Sequence, residues 1–103
     1  MKLSDIFQAI RSNHVRVTAH ARREAEADHL TLEQIYTTVV RGEIVEDYPN
    51  DTPYPSCLIL GYTLAGQPVH SVWAYNAENQ FAVLITVYRP DPNLWIDFRE
   101  RRS

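Results

Sequence analysis

The feature that most constrains this chain is a single change of apolar period at Gly42. Before it, apolar residues recur at helical spacing; after it, they alternate, and the helical spacing never returns. Thr31-Leu32-Glu33-Gln34 reads as a capping box, in which the Thr31 hydroxyl and the Gln34 amide satisfy opposite free backbone groups. The helix it opens presents Leu32, Ile35, Tyr36, Val39 and Val40 on one face. Gly42 closes it, with a left-handed conformation expected at the cap. An earlier helix gathers Ile6, Phe7 and Ile10, with Ser4 as its expected cap. Another starts near His20, with Ala19, Ala21, Ala25 and Ala27 as small contact points, and Asp28-His29 interrupts it. Between these helices Val15-Arg16-Val17-Thr18 has strand propensity but is short.

Beyond Gly42 the strands are Ile44 to Tyr48, Cys57 to Tyr62, Val69 to Tyr75 and Phe81 to Tyr88. The proline-rich Pro49–Pro55 segment, Ala65-Gly66 and Asn76 to Asn79 separate them as turns. Pro90 and Pro92 end the sheet, and Leu94 to Phe98 packs as a short tail. Helices followed by strands, without alternation, define an α+β domain. The expected architecture is two or three N-terminal helices on one face of a four-stranded antiparallel meander.

A chain of 103 residues holds one core. Its single cysteine, Cys57, permits no internal disulfide. No apolar run approaches the roughly 20 residues that span a bilayer, so no membrane contact is expected and a cytoplasmic location is. The net charge of -3 opposes bulk attraction to nucleic acid. The distribution matters more: Arg11, His14, Arg16, Arg22 and Arg23 lie early, and Arg89, Arg99, Arg101 and Arg102 lie late. Glu43 to Asp51 carries four acids and no base. A basic patch forms only if the fold joins the two basic ends.

Cys57 and the four histidines lack the tight pair spacings of zinc ligands, and the three glycines are ungrouped, so neither a metal site nor a phosphate-cradling loop is expected. No cofactor is implied. What remains is His20, His70 and a polar–aromatic cluster at the end of the last strand. Glu24 lies one turn after His20 and can hold its imidazole. Alternation places His70 with Val72 and Ala74, away from Trp73 and Tyr75. Metal-free RNA cleavage needs a base for the 2′-hydroxyl, an acid for the leaving oxygen and a cation for the phosphate. His20 or Glu24 can be the base, His70 or Tyr88 the acid, and Arg22, Arg23 or Arg89 the cation. The plainer reading makes His20 a solvated helix start, His70 a half-buried histidine bonded to backbone, and Tyr88 an aromatic plug.

Thr18-Ala19-His20-Ala21, the stretch from Gly42 to Pro49, Pro53-Tyr54-Pro55-Ser56-Cys57-Leu58-Ile59, Pro68-Val69-His70 and Ile85 to Pro92 together resemble a family of small bacterial proteins of unknown function. That family is similar to the RelE- and MqsR-like ribonuclease toxins of the barnase–colicin–RelE fold. The resemblance implies a messenger-RNA endoribonuclease of a toxin–antitoxin pair, with a co-encoded zinc-finger antitoxin as partner. His20 and His70 match its pattern. Glu24 and Asp28 stand where the commoner pattern carries basic residues, which leaves a non-catalytic binding module as the alternative.

Overall fold

The computed structural model describes residues 1–103. Three helices, α1 (Leu3–Arg11), α2 (Ala19–Ala27) and α3 (Leu32–Val40), precede most of the strands. The strands are β1 (Val15–Val17), β2 (Glu43–Tyr48), β3 (Ser56–Tyr62), β4 (Pro68–Asn76), β5 (Phe81–Tyr88), β6 (Trp95–Ile96) and β7 (Glu100–Arg101). No helix is long and apolar enough to cross a membrane.

The α+β class is as expected, but the sheet is mixed and five-stranded, in the order β1-β5-β4-β3-β2. Strands β2 to β5 do form the antiparallel meander. The correction is β1, which pairs parallel to β5 with Val15 opposite Ala82 and Val17 opposite Leu84. A meander ending at β5 would leave a bare row of backbone donors and acceptors. Strand β1 covers its first half, and α2 takes over where β1 stops. The Thr18 amide donates to the Leu84 carbonyl at 3.1 Å, and the Thr18 hydroxyl to the Ile85 carbonyl at 2.9 Å. At the far end the Asp28 carboxylate accepts the Arg89 amide at 2.9 Å.

The capping box at Thr31 and Gln34 is present. Lys2 rather than Ser4 caps α1, with no side-chain bond. Arg41 caps α3, and Gly42 is not in the left-handed region. Gly42 and Gly61 are instead sites of close approach. A Cβ on Gly61 would lie 1.9 Å from the Thr38 carbonyl oxygen, and one on Gly42 2.6 Å from the same atom. The absence of side chains at these two points lets α3 lie directly on β3.

The helices cover one sheet face. Ile6, Ala9, Ala21, Ala25, Ile35 and Val39 pack there against Cys57, Ile59, Val69, Trp73, Leu84 and Val87. A bulge between β4 and β5 then decides where the candidate site lies. Val72 pairs with Thr86 and Trp73 with Leu84, leaving Ile85 as an extra residue. Strict alternation from Leu84 would turn Thr86 and Tyr88 towards the helices. The inserted residue turns Val87 into the core and aims Thr86 and Tyr88 at the opposite face.

That opposite face carries a second layer. Strands β6 and β7 form a hairpin across it, anchored by Arg99 on Glu43 at 2.6 Å and by Arg101 on Glu46 at 3.0 Å. The expected tail is thus a covering hairpin. The acidic run of β2 thus pairs with two of the late arginines.

Candidate functional site

His70 lies on the non-helix face, as alternation places it, but it is fully buried rather than half-buried. Its Nε2 is 2.7 Å from the Phe98 carbonyl oxygen, and its Nδ1 is 3.1 Å from the Tyr88 hydroxyl. A carbonyl oxygen only accepts, so Nε2 carries the proton and Nδ1 accepts from Tyr88. The Trp95 ring closes the pocket edge-on, with centroids 4.4 Å apart. Burial lowers the His70 pKa, against the opposing pull of the Phe98 carbonyl and the Glu46 charge. The imidazole is therefore neutral at physiological pH. Both its nitrogens are engaged, and its route to any substrate runs through the Tyr88 hydroxyl.

Burial raises the Tyr88 pKa, with Arg101 opposing and Glu46 and Glu24 reinforcing the shift. Tyr88 borders an open groove of about 420 Å³ that is also lined by Arg89, Asp91, Leu94, Trp95, Arg101 and Arg102. Arg101 sits over the Trp95 ring at 4.7 Å while holding Glu46. Arg102 is tied only to a backbone carbonyl, that of Pro92.

Beside this groove runs the seam between α2 and β5. His20 is exposed, and its Nε2 lies 2.9 Å from Glu24 Oε1, one helical turn on. The same carboxylate oxygen accepts a short hydrogen bond from the Thr86 hydroxyl. Thr86 and Tyr88 occupy alternate positions of β5 on the same face. Glu24 thereby links a solvent-facing imidazole to the strand that carries the phenol.

The cations divide. Arg89 Nε donates to the Asp28 carbonyl at 3.0 Å and Nη1 to Gln67 Oε1 at 2.7 Å, so its guanidinium is oriented without facing a carboxylate. Arg23 follows His20 by three residues on exposed helix surface. Arg22 lies towards α3, where its charge opposes the burial-driven rise of the Tyr36 pKa. Nearer the start of β5, Arg16 stands 5.7 Å over the Phe81 ring, and His14 stacks on that ring at 4.7 Å. The non-helix face of β5 is thus bordered by cations at both ends.

Of the residues singled out from sequence, the structure gathers Glu24, Tyr88, His70 and Arg89 around the end of β5, with His20 at its rim and Arg22 outside. Thr86, Trp95 and the Phe98 carbonyl complete the arrangement. Thr86 was visible as a polar residue beside Tyr88, but its orientation depends on the bulge. The Phe98 carbonyl had no sequence signal. Glu24 and Asp28, acidic where the resembling pattern is basic, fasten α2 to β5. Cys57 is buried, and burial pushes its thiol up to about 12, an inert small hydrophobe.

A family model described as a domain of unknown function, DUF4258, matches residues 17–89. The chain belongs to that family. The matched stretch includes His20, Glu24, His70, Tyr88 and Arg89, and excludes α1 and the β6–β7 hairpin. Comparison with curated proteins and with solved structures gives no significant match.

Proposed function

We propose that this protein is a metal-independent endoribonuclease of the bacterial toxin type. The observation that carries the reading is the Glu24 bridge, which joins the exposed His20 imidazole to Thr86, two residues from Tyr88 on one sheet face. In this reading His20, oriented by Glu24, removes the proton from an RNA 2′-hydroxyl. The resulting oxygen attacks the adjacent phosphorus, forming a 2′,3′-cyclic phosphate and breaking the bond to the 5′-oxygen. Tyr88, held by the neutral His70, supplies the proton to that leaving oxygen. Arg89, with Arg102 on the same groove, faces the charge that builds on the phosphate. His70 is a positioning residue in this scheme, because it contacts Tyr88 rather than RNA.

The test is cleavage of a labelled single-stranded RNA by the purified protein, with a 2′-deoxy version as control. His20→Ala is expected to lower the rate about 10²- to 10⁴-fold while the fold is retained. Equal cleavage by wild type and His20→Ala, or cleavage of the deoxy control, overturns the assignment. The engaged Tyr88 hydroxyl and the two acids on α2 favour a second reading, a module that binds RNA on this face without cutting it. RNA binding by wild type with no cleavage product identifies that case.

The same reading carries a partner, a co-encoded zinc-finger antitoxin that silences the site by competing with RNA for Arg89. The hairpin covers part of the sheet's open face, so this competition is confined to the α2–β5 seam and the groove beside Tyr88. Arg89→Glu is then expected to weaken both complexes, and more at low salt than at high salt.

A further inference from the structure

A second pocket, at the opposite end of β5, has a different chemistry. It measures about 320 Å³ and lies where α1 meets the start of β1 and the β4–β5 turn. Asp5, Gln8, Ser12, His14, Tyr75 and Gln80 line it. These six polar side chains come from four separate segments, and none of them hydrogen-bonds to another protein group. The polar groups around Tyr88, by contrast, are almost all engaged with one another.

Two features fix the walls. The His14 ring lies flat on Phe81, with an interplanar angle of 3°. Gln80 sits at φ 59, in the left-handed region where glycine is favoured and a long side chain is strained. A glycine would close this turn more easily, but only a longer residue places an amide at the pocket rim.

Asp5 is the only carboxylate lining the pocket, no guanidinium or ammonium lines it, and His14 is its only group that can become cationic. A phosphate is therefore poorly matched. A carboxylate flanked by amides and hydroxyls suits a flat, neutral group with two adjacent N–H donors and acceptors on its other edges. We propose that this pocket binds a guanine base, with Asp5 accepting from its N1–H and 2-amino group. Gln8 and Gln80 then serve its O6 and N7 acceptors, and Tyr75 contributes an aromatic wall. The volume accommodates the base with its ribose. The guanine can come from a free nucleotide or from a base splayed out of RNA, and the site does not depend on cleavage at the α2–β5 seam.

The experiment is an NMR titration of the full chain with GMP, AMP and methylguanidinium, followed by a short RNA with one unpaired guanine. GMP is expected to shift the His14 and Tyr75 ring resonances, AMP at least tenfold more weakly. Asp5→Asn is expected to reduce GMP affinity at least tenfold. Gln80→Gly is expected to raise Tm by relieving the left-handed residue, yet to weaken GMP binding; a purely structural role for Gln80 would not separate the two. A response to the RNA but not to GMP assigns the site to a splayed base, and the reverse to a free nucleotide. No shift with either, equal response to AMP, or binding of methylguanidinium as tight as GMP overturns the proposal. Because the readout is binding, a failed cleavage assay leaves it standing.

Discussion

The two faces of the sheet differ in how much of what they bury is polar. Under the helices, Ile6, Ile35, Ile59, Trp73 and Leu84 form a close-packed apolar layer. On the other face, which also buries Leu58 and Leu60, the buried His70, the half-buried Tyr88 and the Phe98 carbonyl form a network in which each polar atom has a partner. The apolar face gains stability in proportion to area and tolerates small shifts. The polar face gains little net energy from each bond but is costly to leave half made. An apolar layer can only hold the fold, whereas a satisfied network beside an open groove can also move protons.

The largest effect is expected on the helix face. Trp73→Ala removes the largest fully buried side chain and is expected to cost about 3–5 kcal/mol, read as a fall in the urea midpoint. If it costs under about 1 kcal/mol, the helix face is not the main source of stability. On the other face, His70→Ala leaves the Phe98 carbonyl without its donor and opens a cavity, for an expected loss of roughly 2–4 kcal/mol. His70→Phe refills the volume but not the bonds, so the difference between the two variants measures packing against hydrogen bonding.

The faces also differ in their response to acid. The folded His70 pKa lies below that of the unfolded imidazole, about 6.5. As pH falls below that value the unfolded chain takes up a proton that the folded chain refuses. Stability from this group is thus full above about 6.5 and declines towards the folded pKa. His70→Phe is expected to flatten the slope of stability against pH below about 6.5, whereas a helix-face variant such as Ile35→Val leaves it unchanged. An unchanged slope in His70→Phe would show that the imidazole is accessible in the native state.

The smallest effect belongs to the outer anchors of the hairpin. Arg99 and Glu43 are each about half exposed, at 48% and 50%. Solvent screening holds such a pair to about 0–1 kcal/mol, so Arg99→Gln is expected to shift Tm slightly and only at low salt. A large shift would mean that the hairpin depends on its rim rather than on the bond beneath it.

The apolar face was legible because its signals are local. The Thr31–Gln34 cap, the spacing of Ile35 and Val39, and the alternation within β3 to β5 each lie inside one element. Val15–Val17 was legible as a short strand-prone stretch, but its place in the sheet was not, because it is three residues long and pairs with Ala82–Leu84, far along the chain. The hairpin was hidden for a different reason. Its turn uses Asp97 at φ 52 and Phe98 at φ 61, with no glycine to announce the left-handed pair. His20, Glu24 and His70 stood out as chemistry-bearing residues. Their arrangement depends on the bulge at Ile85, which has no signature in residue type. Arg22 was grouped with Arg23 by adjacency alone, and a helix turns adjacent residues apart by about 100°.

The bond from His70 to Phe98 also joins two distant parts of the chain. Phe98 follows His70 by 28 residues, so during synthesis β2 to β4 emerge before the carbonyl that completes the network. The buried, neutral state of the imidazole therefore rests on the hairpin as well as on the sheet. A single backbone oxygen of the hairpin thus fixes which nitrogen of His70 faces Tyr88, and with it the direction of the bond between them.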